Sequence, residues 1–182
     1  MKQVREVADF YKKYVPGCEK LFIADISRHV GVRASRRIRG IETVSDADAI
    51  ELRHYRDSIA KASWGIDVWP ADSYTKPANE SSIYPERNRK LQEGDWFDIR
   101  YGCIVTKDVD NLLCGGRIIS TDFLSQAAVR LQQTCMQTGE AAGCAAALSV
   151  KRNISPTELD GSEVSALLDE YRKAMKKPYF LI

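Results

Sequence analysis

The run at 134–150, TCMQTGEAAGCAAALSV, holds five alanines and two glycines. Alanine is the strongest helix former, so the run predicts a helix that starts at Gln132 to Thr134 and ends near Val150. Its back is nearly bare of side chains. Small residues let a neighbouring strand or a bound cofactor approach a helix closely, and a fold built around this helix must bring something to that surface. Upstream, NLLCGG at 111–116 is a short apolar run ending in two glycines. It fits a buried strand that points into a tight turn.

The rest of the chain alternates short elements. Val4, Val7, Ala8, Phe10 and Tyr11 recur at helical spacing and predict a helix over 2–14, closed by Pro16-Gly17. Residues 19–29 are ambiguous. VRASRRIRGIETV at 32–44 reads as extended. Ser45 offers an N-cap for a helix at 46–53, where Asp46 and Asp48 suit the positive first turn. Residues 57–62 suggest another helical turn. WGIDVW at 64–69 and DWFDIRYGCIV at 95–105 read as strands. Between them, 70–94 is a polar loop with three prolines, long enough to be functional or mobile. A helix is expected from Asp122 or Phe123 to about Val129. Ser-Pro-x-Glu at 155–158 carries capping chemistry, and an amphipathic helix follows from about Ser162.

Bulk properties exclude several classes. The 182 residues carry 27 basic and 25 acidic groups, a net charge of +2 that gives no footprint for nucleic acid. RRIR at 36–39 is a local basic cluster. No apolar run is long enough to span a bilayer, and MKQVREVADFYKKY has no signal-peptide h-region, so a cytoplasmic, membrane-free protein is expected. Five cysteines at 18, 103, 114, 135 and 144 form no C-x-x-C pair, so no metal site is expected and the thiols read as free. His29 and His54 pair with no nucleophile, and no G-x-S-x-G occurs.

Three segments together resemble a known family. They are GVRASRRIRG at 31–40, DWFDIRYGCIVTKDVDNLLCGGRIIS at 95–120 and AAVRLQQTCMQTGEAAGCAAALSV at 127–150. In this order they resemble the C-terminal half of the FAD-dependent oxidoreductases related to fumarate-reductase-like and glutathione-reductase-type flavoproteins. Members of that family read G-V-R-E-S-R-R-I-x-G, then D-I-P-Y-R, V-D-N-L-L-V-A-G-R and V-R-V-M-P-T-C-M-A-T-G-Q-A-A-G. This chain departs from the pattern at Ala34, Arg100 and Gly102, and in the T-D-F-L-S-Q stretch after Ser120.

The resemblance implies an α/β to α+β fold. It would consist of an antiparallel-sheet substrate domain plus the last strand and helix of a Rossmann-like FAD-binding domain. The expected division is a helical connection at 1–31, a substrate domain at 32–110, a C-terminal FAD-binding strand–helix at 111–151 and a C-terminal helix at 152–182. The N-terminal Rossmann part is expected to be missing, because no G-x-G-x-x-G turn occurs to cradle a pyrophosphate. A separate FAD-binding segment, in cis or in trans, is therefore an expected partner, together with a small-molecule substrate.

The implied cofactor is FAD, and the implied reaction is hydride transfer between a small substrate and the flavin. A helix N-terminus aimed at the flavin N1 and C2 carbonyl stabilises the charge gained on reduction. By resemblance that helix start is Leu131, Gln132, Gln133 and Thr134. Gly115 and Gly116 would let the backbone pass close to the cofactor, with Arg117 in contact with it. Arg130 and Tyr101 are the catalytic candidates. Arg33, Arg36 and Arg37 are the substrate-binding candidates, since a guanidinium fork suits a carboxylate or phosphate; strand alternation would put Arg33 and Arg37 on one face. For Tyr101 the competing role is an interior aromatic, and Cys135 reads as packing. The competing function is a non-catalytic α+β module that uses the Arg33/Arg36/Arg37 cluster for an anionic ligand or a protein partner.

Overall fold

A computed structural model describes residues 2–29, 31–68 and 91–175. The chain divides into two compact units, Met1–Val32 and Arg33–Ile182. In the first unit, helix α1 spans Lys2–Tyr14. Its apolar residues recur at helical spacing as expected, yet none of them is buried. Phe10 and Tyr14 stack on each other with ring centroids 5.0 Å apart.

The second unit is α+β. It contains α2 (Asp46–Glu51), β1 (Ser58–Ala62), β2 (Phe97–Arg100), α3 (Phe123–Val129), α4 (Gln132–Arg152) and α5 (Gly161–Ala174). Strands β1 and β2 form a two-stranded antiparallel sheet, with Lys61 opposite Asp98 and Ala62 opposite Phe97. A bulge at Ile59 shifts the register between Ser58 and Ala60. Ile59, Phe97, Ile99, Ile104, Ile119, Val129, Val164 and Leu168 are fully buried and form the centre of one core.

Local chemistry sets the helix ends. Ser45 and Asp48 form a reciprocal capping box on α2: Ser45 Oγ accepts from the Asp48 N–H at 3.2 Å and Asp48 Oδ2 from the Ser45 N–H at 2.7 Å. Asp46 Oδ1 reaches across to α3 and accepts from the Leu124 and Ser125 N–H groups, both at 2.9 Å. Helix α4 ends at Asn153, which takes the left-handed conformation (φ 53°) and donates its N–H to the last-turn carbonyls. Asp160 caps α5.

The small-residue face of α4 is where the fold closes. Thr134, Thr138, Ala141, Ala145 and Ser149 recur every three or four residues and are buried. Ala141 and Ala145 of this stripe belong to the same core as Ile59 and Ala60 of β1 and Val164 and Leu168 of α5. Arg172 of α5 donates to Glu140 of α4 at 2.7 and 3.0 Å, and Gln137 of α4 exchanges hydrogen bonds with both backbone groups of Lys61 on β1.

Several expected elements differ. Residues 57–62, expected as a helical turn, form β1: Ile59, Ala60 and Ala62 are buried against the core, and tertiary pairing with β2 outweighs the local signal. The extended 32–44 segment is not a strand and makes only isolated bridges, Gly40 to Thr106 and Val44 to Thr121. No strand forms over 64–68, and the rest of WGIDVW lies outside the described residues, as do 70–90 of the expected loop. The 95–105 strand shortens to β2, because the chain coils into a 3-10 turn at Tyr101–Cys103. The 111–116 run is half-exposed and bridges Val105 only at Leu113, so the expected buried strand is absent here. Among the described residues, the expected antiparallel sheet is a two-stranded ribbon with bridges around it.

Candidate functional site

Between α3 and α4 the chain passes through Arg130 and Leu131, and this junction gathers much of the predicted site. Leu131 is the N-cap of α4 and its side chain cannot cap. No acidic residue stands in the first turn, and among the described residues no side chain accepts from the N–H groups of Gln132, Gln133 or Thr134. Gln132 and Gln133 are exposed, whereas Thr134 is buried. The result is a 21-residue helix with an open, electropositive start.

The glycine turn closes on the same helix. The Gly116 N–H donates to Thr138 Oγ1 at 2.9 Å, and Thr138 Oγ1 in turn donates to the Thr134 and Cys135 carbonyls. Gly115 lies so near α4 that a Cβ on it would meet the Gly139 Cα at 2.9 Å. Gly116 has φ +86° and open space beside it. The charge of Arg117 reaches Cys135 and favours its thiolate, but burial outweighs it and pushes the thiol pKa up. The packing role expected for Cys135 agrees with that shift. Gln126 of α3 donates to the Arg117 carbonyl at 2.9 Å. Gly115, Gly116 and Arg117 are therefore brought together with the first two turns of α4.

Arg130 is held from another side. Its Nη2 donates to Asp67 Oδ2 at 3.0 Å and to the Asp67 carbonyl at 2.9 Å. Arg33 Nη2 lies 3.6 Å from the same carboxylate oxygen. The Arg130 side chain is only 18% exposed and that of Asp67 is 47% exposed. Asp67 was not singled out in the sequence. It comes from WGIDVW, 63 residues from Arg130, and no local pattern marks so distant a contact.

The three substrate-side arginines do not converge. Strand alternation does not apply to 32–44, which lacks a strand, and Arg37 turns away from Arg33 to donate to the Asp122 carbonyl at 2.7 Å. Arg36 is exposed, with no described partner. Asp122 and Arg130 flank α3, whose seven residues span about 10 Å. Arg33 and Arg37 thus belong to opposite ends of that helix.

Tyr101 is an interior aromatic. It is 2% exposed, its hydroxyl donates to the Pro156 carbonyl at 2.8 Å, and burial pushes its pKa up to about 12. Gly102 is required beside it, since a Cβ there would collide with the Glu42 side chain at 2.6 Å. Glu42 pairs with Arg100 at 2.6 Å, but its Oε2 is buried without a hydrogen-bond partner, and desolvation raises its pKa. His54 stacks on Trp96 with centroids 4.9 Å apart, beside Asp98. Among the described residues, no group of three His, Cys, Asp or Glu could hold a metal ion, and no helix is long and apolar enough to cross a membrane. All five cysteines are free.

The family model described as FAD dependent oxidoreductase matches residues 1–168. The chain belongs to the FAD-dependent oxidoreductase family. The cofactor of this family is FAD, and a general flavin oxidoreductase role follows. No curated protein and no solved structure matches the chain. The residues of this FAD-dependent oxidoreductase fit the redox end of the cofactor in one respect: α4 begins with uncapped N–H donors beside an open glycine. No G-x-G-x-x-G turn, the motif that cradles a diphosphate, is present in the sequence.

Proposed function

We propose that the start of α4, with the Gly115-Gly116 turn, is the flavin-facing element of an oxidoreductase that transfers hydride between a small substrate and FAD. The observation that carries this is the uncapped helix start at Gln132, Gln133 and Thr134, in a chain whose family uses FAD. Three N–H groups there lack a side-chain acceptor among the described residues and suit an external oxygen or nitrogen that gains negative charge. FAD, when bound, supplies the hydride acceptor.

The chain's own residues orient and hold charge. Asp67 fixes the Arg130 guanidinium next to the helix start, and Arg33 adds a second positive charge at the same place. Arg130 and Arg33 are the substrate-facing residues in this proposal, and Arg117 lies on the cofactor side. Tyr101, whose hydroxyl is spent on Pro156, supports the scaffold from inside. The 111–116 segment and α4 would close a Rossmann-like domain, and the 32–110 region would serve the substrate. The nucleotide loop would come from outside these 182 residues, in cis or in trans, because the sequence holds no turn of that kind.

The test is FAD titration of the purified chain, read by flavin fluorescence quenching and the visible spectrum. Weak binding alone, strengthened by a supplied G-x-G-x-x-G strand–turn–helix segment, is the expected result. Binding that stays absent with the segment present, under conditions where the chain is folded, removes the flavin role from this helix. Tight stoichiometric binding by the chain alone removes the requirement for an outside loop.

A further inference from the structure

A polar cleft of about 520 Å³ opens at the end of α3 away from Arg130. Arg37, Arg39 and Lys107 line it, along with the hydroxyls of Thr43 and Ser120 and the Asp122 residue that precedes α3. Backbone pairing holds its walls. The Ile38 N–H donates to the Ile118 carbonyl at 2.8 Å, the Lys107 N–H to the Arg39 carbonyl at 2.8 Å, and Gly40 bridges Thr106. The floor is tightly packed: a Cβ on Gly40 would fall 2.7 Å from the Gly102 carbonyl oxygen and 2.8 Å from Ser120 Cβ.

The charges are unevenly met. Arg37 is oriented by its bond to the Asp122 carbonyl, which uses one of five guanidinium N–H donors. Arg39 meets Asp108 at 3.4 Å, an exposed pair that solvent screens and that contributes little. The Lys107 ammonium has no partner among the described residues. Asp122, the one carboxylate in the lining, accepts through Oδ2 from the Asp46 N–H at 3.3 Å. Thr43 and Ser120 hydroxyls meet at 2.9 Å, so each keeps capacity for a further bond. Three cations against one carboxylate, with hydroxyls between them, form a site for a compact multivalent anion.

We propose that this cleft binds a phosphomonoester dianion, held by Arg37, Lys107 and Arg39. Three terminal oxygens and two charges match a guanidinium fork, an ammonium and a hydroxyl pair better than a single carboxylate does. The volume exceeds that of a phosphate group and leaves room for the organic part of the ester. The site is independent of the flavin proposal, since it lies at the opposite end of α3 from the α4 start.

Isothermal titration of the full chain with inorganic phosphate, phenyl phosphate and acetate at matched ionic strength tests it. One saturable site for phosphate is expected, with Kd on the order of 1 mM and tighter binding of the ester. Lys107→Ala and Arg37→Ala should each weaken it by about tenfold, whereas Lys151→Ala, at an exposed lysine in the last turn of α4, should leave it unchanged. Lys107 is exposed, so its replacement leaves the fold intact, which circular dichroism verifies. Absence of saturable phosphate binding, or binding indifferent to both Lys107 and Arg37, overturns the site. Acetate binding as tightly as phosphate overturns the phosphomonoester assignment. Inorganic phosphate binding more tightly than the ester assigns the cleft to the free ion and overturns the ester.

Discussion

Gly115 and Gly139 touch backbone to backbone: a Cβ on Gly115 would lie 2.9 Å from the Gly139 Cα and 3.0 Å from its nitrogen. The glycine turn and the small-residue face of α4 are thus one packing unit. It holds the turn against the helix start to which the flavin role is assigned.

Gly115→Ala should therefore destabilise the chain by about 1–3 kcal/mol, because the atoms it meets are backbone and cannot swing away. Gly143, also in α4, has nothing within 4 Å of a built Cβ. Gly143→Ala should stabilise by up to about 1 kcal/mol through helix propensity. Urea unfolding of the two variants checks the opposite signs, and a shared sign would refute the contact.

Arg130 and Arg33 share Asp67 unequally. Arg130 is largely buried and makes two bonds to Asp67, whereas Arg33 is exposed and lies 3.6 Å away. Arg33→Ala should cost well under about 1 kcal/mol, and that cost should vanish in high salt. Arg130→Ala should cost about 1–3 kcal/mol by leaving Asp67 less satisfied. Chemical denaturation at two ionic strengths separates them.

Ser45→Ala removes the hydroxyl that caps α2 while leaving Asp48 in place. A loss of about 1 kcal/mol is expected, with Ser45→Gly milder. Thermal melts of both variants check the order.

Stability should fall at alkaline pH. Burial pushes Cys103 from an ordinary 9.0 to about 12 and Tyr101 from 10.0 to about 12. Above pH 9 the unfolded thiol releases its proton while the folded one keeps it. The folded state then binds more protons, so stability declines from about pH 9 to pH 12. Below pH 9 both states are protonated and these groups contribute no slope. Cys103→Ser should flatten the decline, and in the native wild-type chain Cys103 should resist alkylation at pH 8 until denaturant is added. Rapid labelling of Cys103 in the folded protein would contradict its burial.

Helices were the legible part of the sequence. The 3.6-residue pattern of α1, the Ser45 cap and the Ala-rich run of α4 are local signals, and these helices formed close to where they were expected. Strands were poorly legible. Ser58–Ala62 is short, and its extended form depends on Phe97–Arg100, which lies more than 30 residues away. The same limit applied to the site. Gln132 to Thr134 could be placed at a helix start from local pattern, and the resemblance extended that start to Leu131.

The sequence by itself determined the family, the small-residue helix and the absence of a pyrophosphate turn, because each is written in contiguous residues. Only the tertiary structure decided which charges meet. It put Asp67 under Arg130 and Arg33, turned Arg37 to Asp122 and buried the Tyr101 hydroxyl on Pro156. Those partners are 34 to 85 residues apart in the chain. The physical reason is that a side-chain contact follows from how a backbone closes on itself, and spacing along the chain carries no record of that closure.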